Sequence, residues 1–392
     1  MTVQLPFAQP HPLQAGAQLR TLRADGPIHR VRTVVGDDAW LVTGYAEVRA
    51  LMDDGRLGRS HRSPETAPRS RASALFGGPI GDFDDEPAGH ERMRSLLQPH
   101  FSPRHLRALQ PRVDTLTAGL LDELADGGSP ADLHAKVAAP LPILVICELL
   151  GVPYSDREKF HVWVDAAAFS TDETESGLGL AALVEYGVSL VVEKRRNPGD
   201  DVISRLSTEK DLEDVEIAAL AMALLFAGYE TTVTQIWTQA VQLLSEQSRW
   251  EAVLADPGLL TKANEELLRA CLVGGVGIPR YARDDISIAG VMIGAGDLVL
   301  LDPGSANHDP AAFVDPDTID FHRRGLPHLS FGYGGRYCLG APLARIELNS
   351  VFSQLIPRFP DMRLTVDPAE LTINTDALGA GLVELPVAWG GR

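Results

Sequence analysis

The chain has 392 residues, with 35 Lys and Arg against 53 Asp and Glu, so its formal net charge is −18 and its isoelectric point about 5.0. That acidic balance argues against nucleic acid as the main partner, while 45% hydrophobic residues suffice for a large core. No run of about 18 apolar residues stands out and the start, MTVQLPFAQPHPLQ, has no basic or apolar leader pattern, so neither a membrane span nor a signal segment is expected. Cys147, Cys271 and Cys338 are far apart and form no CxxC, which fits a reducing cytoplasm and no zinc or iron–sulfur site.

In chain order, residues 1–25 read as an entry segment and a short helix. IHRVRTVV and AWLVTGY alternate around GDD and predict a β-hairpin. TGYAEVRALMDD then opens a helix with Thr43 as its candidate cap. Residues 57–86 are rich in Ser, Arg, Pro and Gly and predict a long loop, of the kind that is functional or disordered. EPAGHERMRSLLQPHFSPRHL is a helix that breaks at Pro99. His90 and Arg94 share one face of it, where two donors a turn apart can clamp a carboxylate pair; a solvated basic face has the same spacing. Residues 105–126, 130–150, 154–170 and 177–197 predict four helices. Cys147, within LPILVICELLGVP, reads as a buried small hydrophobe.

LEDVEIAALAMALLFAGYETTVTQIWTQAVQLLSE is far longer than the average helix of roughly 11–12 residues. It is apolar almost all round from Ile217 to Phe226, as a helix through the core should be. At its middle stand Ala227, Gly228, Tyr229, Glu230, Thr231 and Thr232. A Glu beside two Thr is out of place there, and a Thr hydroxyl can bond the carbonyl four residues back. Taken locally, the notch could hold a water, or Glu230 an ion pair. Ala227 and Thr231 share a face; Tyr229 points away from it. TKANEELLRACL carries Glu266 and Arg269 three apart on one helical face. LVGGVGIPRYARDDI reads as a strand with Arg280, ISIAGVMIGAGDLVLL as a hairpin, and ANHDP and His328 as structural.

FGYGGRYCLG sets Cys338 on a Gly-rich loop ahead of the helical pattern APLARIELNSVFSQLI. A helix start favours thiolate over thiol, and Gly332, Gly334 and Gly335 would let the backbone approach a large planar object. Such a cysteine reads as a metal ligand, against the local alternative of an inert buried thiol. The tail is strand-like, with a turn at residues 377–381 that could reach a pocket.

Three patterns in order, A-G-x-E-T from Ala227, E-x-x-R from Glu266 and F-G-x-G-x-R-x-C-x-G from Phe331, resemble the cytochrome P-450 family, over nearly the whole chain. The resemblance implies a mainly α fold with small β-sheets, the P-450 prism, as one domain over residues 1–392. It implies a cytoplasmic, monomeric monooxygenase with haem b (iron protoporphyrin IX), taking O2, a small organic substrate, and electrons from a ferredoxin and its reductase, with no membrane. Cys338 would be the axial ligand, with Phe331 beside the sulfur. His90, Arg94, Arg280 and Arg336 would meet the propionates, and Ala227 the haem face. Glu230 and Thr231 would be the acid–alcohol pair that delivers protons, with Tyr229 structural. Residues 57–86 would arch over the distal face, and Ala223, Ala227, Val276 and Leu378 would line the substrate pocket. Glu266 and Arg269 would be a buried pair holding the Cys loop. The usual third partner, an Arg, is replaced by Thr318, which leaves Arg323 as a candidate. Arg104, Arg107, Arg336 and Arg345 would form the ferredoxin docking patch. AGYETT and GVGIPRYA look most like bacterial enzymes that oxidise macrolides and other natural products. A peroxide-driven haem-thiolate oxidase and a non-catalytic haem sensor are the rivals, and both would have little use for Glu230 and Thr231.

Overall fold

The computed structural model describes residues 3–9, 11–73, 77–156, 159, 162–164, 166–167, 173–273, 277–374 and 381–390. The first turn of chain sets up a sheet. β1 (Val3–Gln4) is followed by α1 (Ala17–Asp25) and by the expected hairpin, β2 (Ile28–Arg32) and β3 (Asp38–Val42), antiparallel with Ile28 opposite Val42. α2 (Tyr45–Met52) starts at Gly44 without a side-chain cap. The expectation for Thr43 is corrected: its hydroxyl donates to the Pro27 carbonyl at 3.4 Å and fastens the hairpin instead. β4 (Leu57–Gly58) is followed by α3 (Glu86–Leu97), and the described residues between them form neither helix nor strand.

α3 gives way at Gln98–Phe101 to a 3-10 turn containing Pro99, which has no N–H to continue the ladder. α4 (Pro103–Asp126) follows with proline at its first position. The helix expected over residues 130–150 starts late. Ala131–Asp132 form β5, and the Asp132 carboxylate accepts from the His134 and Leu385 amides at 2.9 Å each, which pins the segment to the C-terminal chain. α5 (Pro140–Leu150) is almost wholly buried and ends on Gly151 in the left-handed conformation, φ 78°. Of the helix expected over residues 154–170, the described positions 159, 162–164 and 166–167 are helical.

α6 (Glu173–Arg196) and α7 (Val202–Leu206) precede α8 (Asp214–Leu244), the 31-residue helix the sequence foreshadowed. A reciprocal capping box between Glu213 and Glu216 fixes its start. At 1.5 Å per residue it spans roughly 46 Å. α5, α6, α9 (Gln247–Ala255), α10 (Leu260–Arg269) and α12, introduced below, pack around it. By length and composition alone the segments Thr174–Arg196 and Asp214–Leu244 could cross a membrane, which corrects the expectation that none could. In this fold they pack on one another, and α8 runs through the main core.

β6 (Ile278–Ala282) is followed by the tight hairpin β7 (Ile286–Ile288) and β8 (Val291–Ile293), which turns on Ala289 and Gly290, both at positive φ. β9 (Leu298–Leu301) completes a six-stranded sheet in the order β1-β2-β3-β9-β6-β4. After α11 (Pro303–Ala306) and the Cys loop comes α12 (Ala341–Arg358), then β10 (Arg363–Leu364), β11 (Ile373–Asn374), β12 (Gly381–Leu382) and β13 (Pro386–Ala388) in small sheets. Helix accounts for 53% of the molecule, so the fold is mainly α with small sheets.

Candidate active site

The Cys338 amide donates to the Phe331 carbonyl at 2.8 Å and closes the loop on itself. Gly332 and Gly334 have φ of 75° and 67°, values that strain any residue with a Cβ, and a Cβ on Gly334 would lie 1.8 Å from the Asp53 carboxylate. These two glycines are therefore required by the turn itself. Gly335 is different: its Cβ position faces open space. Phe331 lies under the Arg345 guanidinium, 4.5 Å from ring centre, and Arg94 donates to the Tyr337 carbonyl at 2.9 Å.

Cys338 is accessible from outside the chain, yet protein atoms crowd it enough that burial pushes its thiol up. The Gly340 and Ala341 amides, Arg345 and Arg94 pull the other way and do not prevail. The Gly340 and Ala341 amides favour the thiolate, as the helix start implies, and a metal ion bound at the sulfur would displace the proton.

α12 begins three residues after Cys338 and packs against α8. On α8 the residues Ala219, Ala223, Ala227 and Thr231 are exposed, each four beyond the last, while Ala218, Ala221, Met222, Leu224, Leu225 and Phe226 are buried. One accessible line thus runs along an otherwise enclosed helix. Thr231 lies on it, donating from Oγ1 to the Ala227 carbonyl at 2.7 Å. Glu230 beside it is buried, and Tyr229 is buried on the far side, as its spacing implied. Ala223 and Ala227, two of the four residues assigned to the substrate pocket, stand on this line; Val276 and Leu378 lie outside the described residues.

Around the start of α3, positive charge collects. Glu86, His90 and Arg94 follow one another by four residues on one face. Glu86 accepts from Arg336 Nη2 at 2.6 Å, from the Arg59 and Ser60 amides at 2.8 and 2.9 Å and from Ser60 Oγ at 2.5 Å. Burial opposes ionisation of Glu86, but these donors, the Ser60 hydroxyl first, outweigh it and hold the carboxyl at about 2. Arg280 is pushed down to about 9 by burial and by the charges of Arg59 and Arg336. Burial lowers Arg59 too, and its Nη2 is buried without a hydrogen-bond partner. His90 is lowered by burial and by Arg336 and Arg94. Glu86, His90, Arg94, Arg283 and Arg336 line a cavity of about 410 Å³. Asp53, Asp54 and Glu91 line the same cavity; the orphaned Nη2 of Arg59 is a buried donor that an anion would satisfy. A ring carrying two propionates meets that need. Glu86, Arg59 and Arg283 were not singled out from sequence; the i, i+4 spacing of Glu86 ahead of His90 was the available signal.

Behind the loop, Arg269 donates to both Glu266 oxygens at 2.8 Å, and its Nη1 reaches the Asn307 and Pro316 carbonyls at 2.9 and 2.8 Å. Arg323 Nε donates to Glu266 Oε1 at 3.0 Å, so Arg323 is the third partner and Thr318 contributes only its carbonyl, to both arginines. Asn307 links this network to the Cys loop through the Leu329 amide and the Ser330 hydroxyl. His328 faces Glu265 at 3.2 Å, a supporting contact. Of the four arginines assigned to docking, Arg336 is engaged by Glu86 and Arg345 is held by both oxygens of Glu265 at 2.7 and 2.9 Å. Arg104 and Arg107 are exposed.

The accessible Cys338 and the unmet Arg59 donor fit an iron-bearing ring with two propionates, the cofactor of the haem-thiolate proteins. The family model for cytochrome P450 matches residues 251–383. The chain is 41% identical to pentalenolactone synthase of Streptomyces exfoliatus, over 98% of this chain and 99% of that one. It is 39% identical to mycinamicin IV hydroxylase/epoxidase of Micromonospora griseorubida, over 98% of each. The solved structure of substrate-free PimD, a polyene macrolide antibiotic pimaricin epoxidase, superposes with a TM-score of 0.90 at 37% identity over 99% of both chains. The chain belongs to the cytochrome P450 family; it is a monooxygenase whose cofactor is iron protoporphyrin IX.

Proposed function

We propose that this monooxygenase inserts one atom of O2 into a macrolide, another polyketide or a similar natural product, in the cytoplasm, with electrons delivered by a ferredoxin and its reductase. The substrate class follows from the relatives, which act on compounds of this kind by their names. When bound, the haem iron supplies the oxidising chemistry, and a cysteine ligand donates electron density that favours O–O cleavage. Cys338 holds the metal from the loop, and Phe331 covers the sulfur. His90, Arg94, Arg280 and Arg336 orient the ring through its propionates, and Arg94 ties that contact to the Tyr337 carbonyl. Ala227 offers a flat surface to the ring, and Ala223 with Val276 and Leu378 shapes the substrate space. Thr231 and Glu230 handle protons: the Thr231 hydroxyl can accept from water and donate to the oxygen substrate, and the Glu230 carboxyl replenishes it. Glu266 and Arg269 keep the Cys loop in place from behind.

One observation carries this reading: a lone hydroxyl on the accessible line of α8, next to a buried acid. Thr231→Ala should leave haem and substrate binding intact and divert NADPH consumption to hydrogen peroxide, whereas Glu230→Gln should slow turnover, within the 10²–10⁴-fold typical of about one acid–base group. Product and peroxide are measured per NADPH. Wild-type coupling in Thr231→Ala would reject the assignment, and the absence of any NADPH-dependent product in the wild type is the outcome a peroxide-driven oxidase gives.

A further inference from the structure

We infer that Glu86 is a positioning residue that clasps the loop of residues 59–85 at its two ends and, through the same carboxylate, sets the Arg336 side chain two residues before Cys338. Glu86 stands at the first position of α3. Its partners Arg59 and Ser60 are 27 and 26 residues earlier in the chain, so the carboxylate closes the loop by joining its exit to its entrance. Arg336, 250 residues later, donates to the same group. Closing so long a loop carries an entropic cost that grows slowly with length, and three charge-assisted hydrogen bonds are an adequate return.

The surroundings are shaped for this contact. A Cβ on Gly58 would lie 2.4 Å from Glu86 Oε2, so a glycine is needed for the carboxylate to reach the loop entrance. Ile80 returns to the same point, its amide donating to the Arg59 carbonyl at 2.8 Å. Arg283 braces the clasp from the sheet: it lies 3.5 Å from Glu86, donates to Ser60 Oγ at 3.2 Å and to the Phe83 carbonyl at 2.6 Å, and stacks over the Phe83 ring. Arg336 engages Glu86 through Nη2 alone among the described contacts, which leaves its other N–H groups to face a propionate. Opening the loop and loosening the propionate contact are therefore one event at one carboxylate.

The haem-side half of this proposal rests on the propionate role given to Arg336; the loop half does not, and the two are read separately. Holoenzyme is compared as wild type, Glu86→Gln, Gly58→Ala and Ser60→Ala. Amide hydrogen exchange at Arg59 and Ser60 reports the clasp. The propionate bending band in resonance Raman, with the rate of haem transfer to apomyoglobin, reports Arg336. Glu86→Gln should raise exchange at both amides by about tenfold or more, shift the band and speed haem transfer. Gly58→Ala should reproduce both effects with the carboxylate and Arg336 still present. Ser60→Ala should raise exchange and leave the band in place. If Glu86→Gln and Gly58→Ala open the loop with the band and haem transfer unchanged, the coupling is overturned. If exchange does not move, the clasp itself is overturned. A band that stays put even in Arg336→Ala would instead reject the propionate role and leave the clasp standing.

Discussion

At the scale of single residues, Cys338 and Glu347 illustrate opposite uses of burial. Cys338 is crowded but reachable, and Cys338→Ser should abolish the red-shifted Soret band of the ferrous–CO complex; survival of that band would remove Cys338 as ligand. Glu347, on α12, is 3% exposed, with Oε2 lacking a hydrogen-bond partner, and burial raises its carboxyl well above the usual range. The folded protein thus retains a proton that the unfolded chain releases above about pH 4.3. Stability conferred at lower pH must fall as pH rises through that value toward the folded one. Glu347→Gln removes this slope. Its melting temperature should match wild type near pH 4 and exceed it by a few degrees at pH 8; equal melting at both would show that Glu347 has a partner.

At the scale of elements, the Glu266 network makes a graded prediction. Arg269 makes two 2.8 Å bonds to Glu266, and Arg323 one of 3.0 Å. Removing one partner of a buried pair typically costs about 3–5 kcal/mol. Arg269→Ala should reach that range in chemical denaturation, and Arg323→Ala should cost less, because Glu266 keeps the bidentate partner. A reversed order would mean that Arg323 is the principal anchor. Legibility followed the range of the interactions. α8 could be read because its apolar run is local, and the Cys loop because its glycines obey local backbone rules. The start of the 130–150 helix could not, because Asp132 answers to Leu385. Arg323 was only a candidate, and Glu86 went unnoticed, since their partners are set by tertiary packing at separations of 57 and 250 residues.

At the scale of the whole molecule, the ferredoxin proposed above poses a question of charge, since the chain itself carries −18. A local patch suffices, because exposed charges farther apart than roughly 8 Å are screened at physiological salt. With Arg336 and Arg345 already paired with Glu86 and Glu265, the docking proposal falls on the exposed Arg104 and Arg107 at the head of α4. Arg107→Glu should slow reduction by ferredoxin, and added salt should slow the wild type. Reduction rates indifferent to both would place the donor elsewhere.

The line of alanines on α8 has an evolutionary corollary. On the buried side of that helix, a larger side chain collides with packed neighbours, at a cost of about 1–3 kcal/mol. At Ala219 and Ala223, which are exposed, a larger side chain displaces no packed atom. The helix can stay rigid where it presents the acid and the alcohol, and vary one or two turns away. Single substitutions at these two positions can therefore reshape the proposed substrate space with no compensating change elsewhere in the fold.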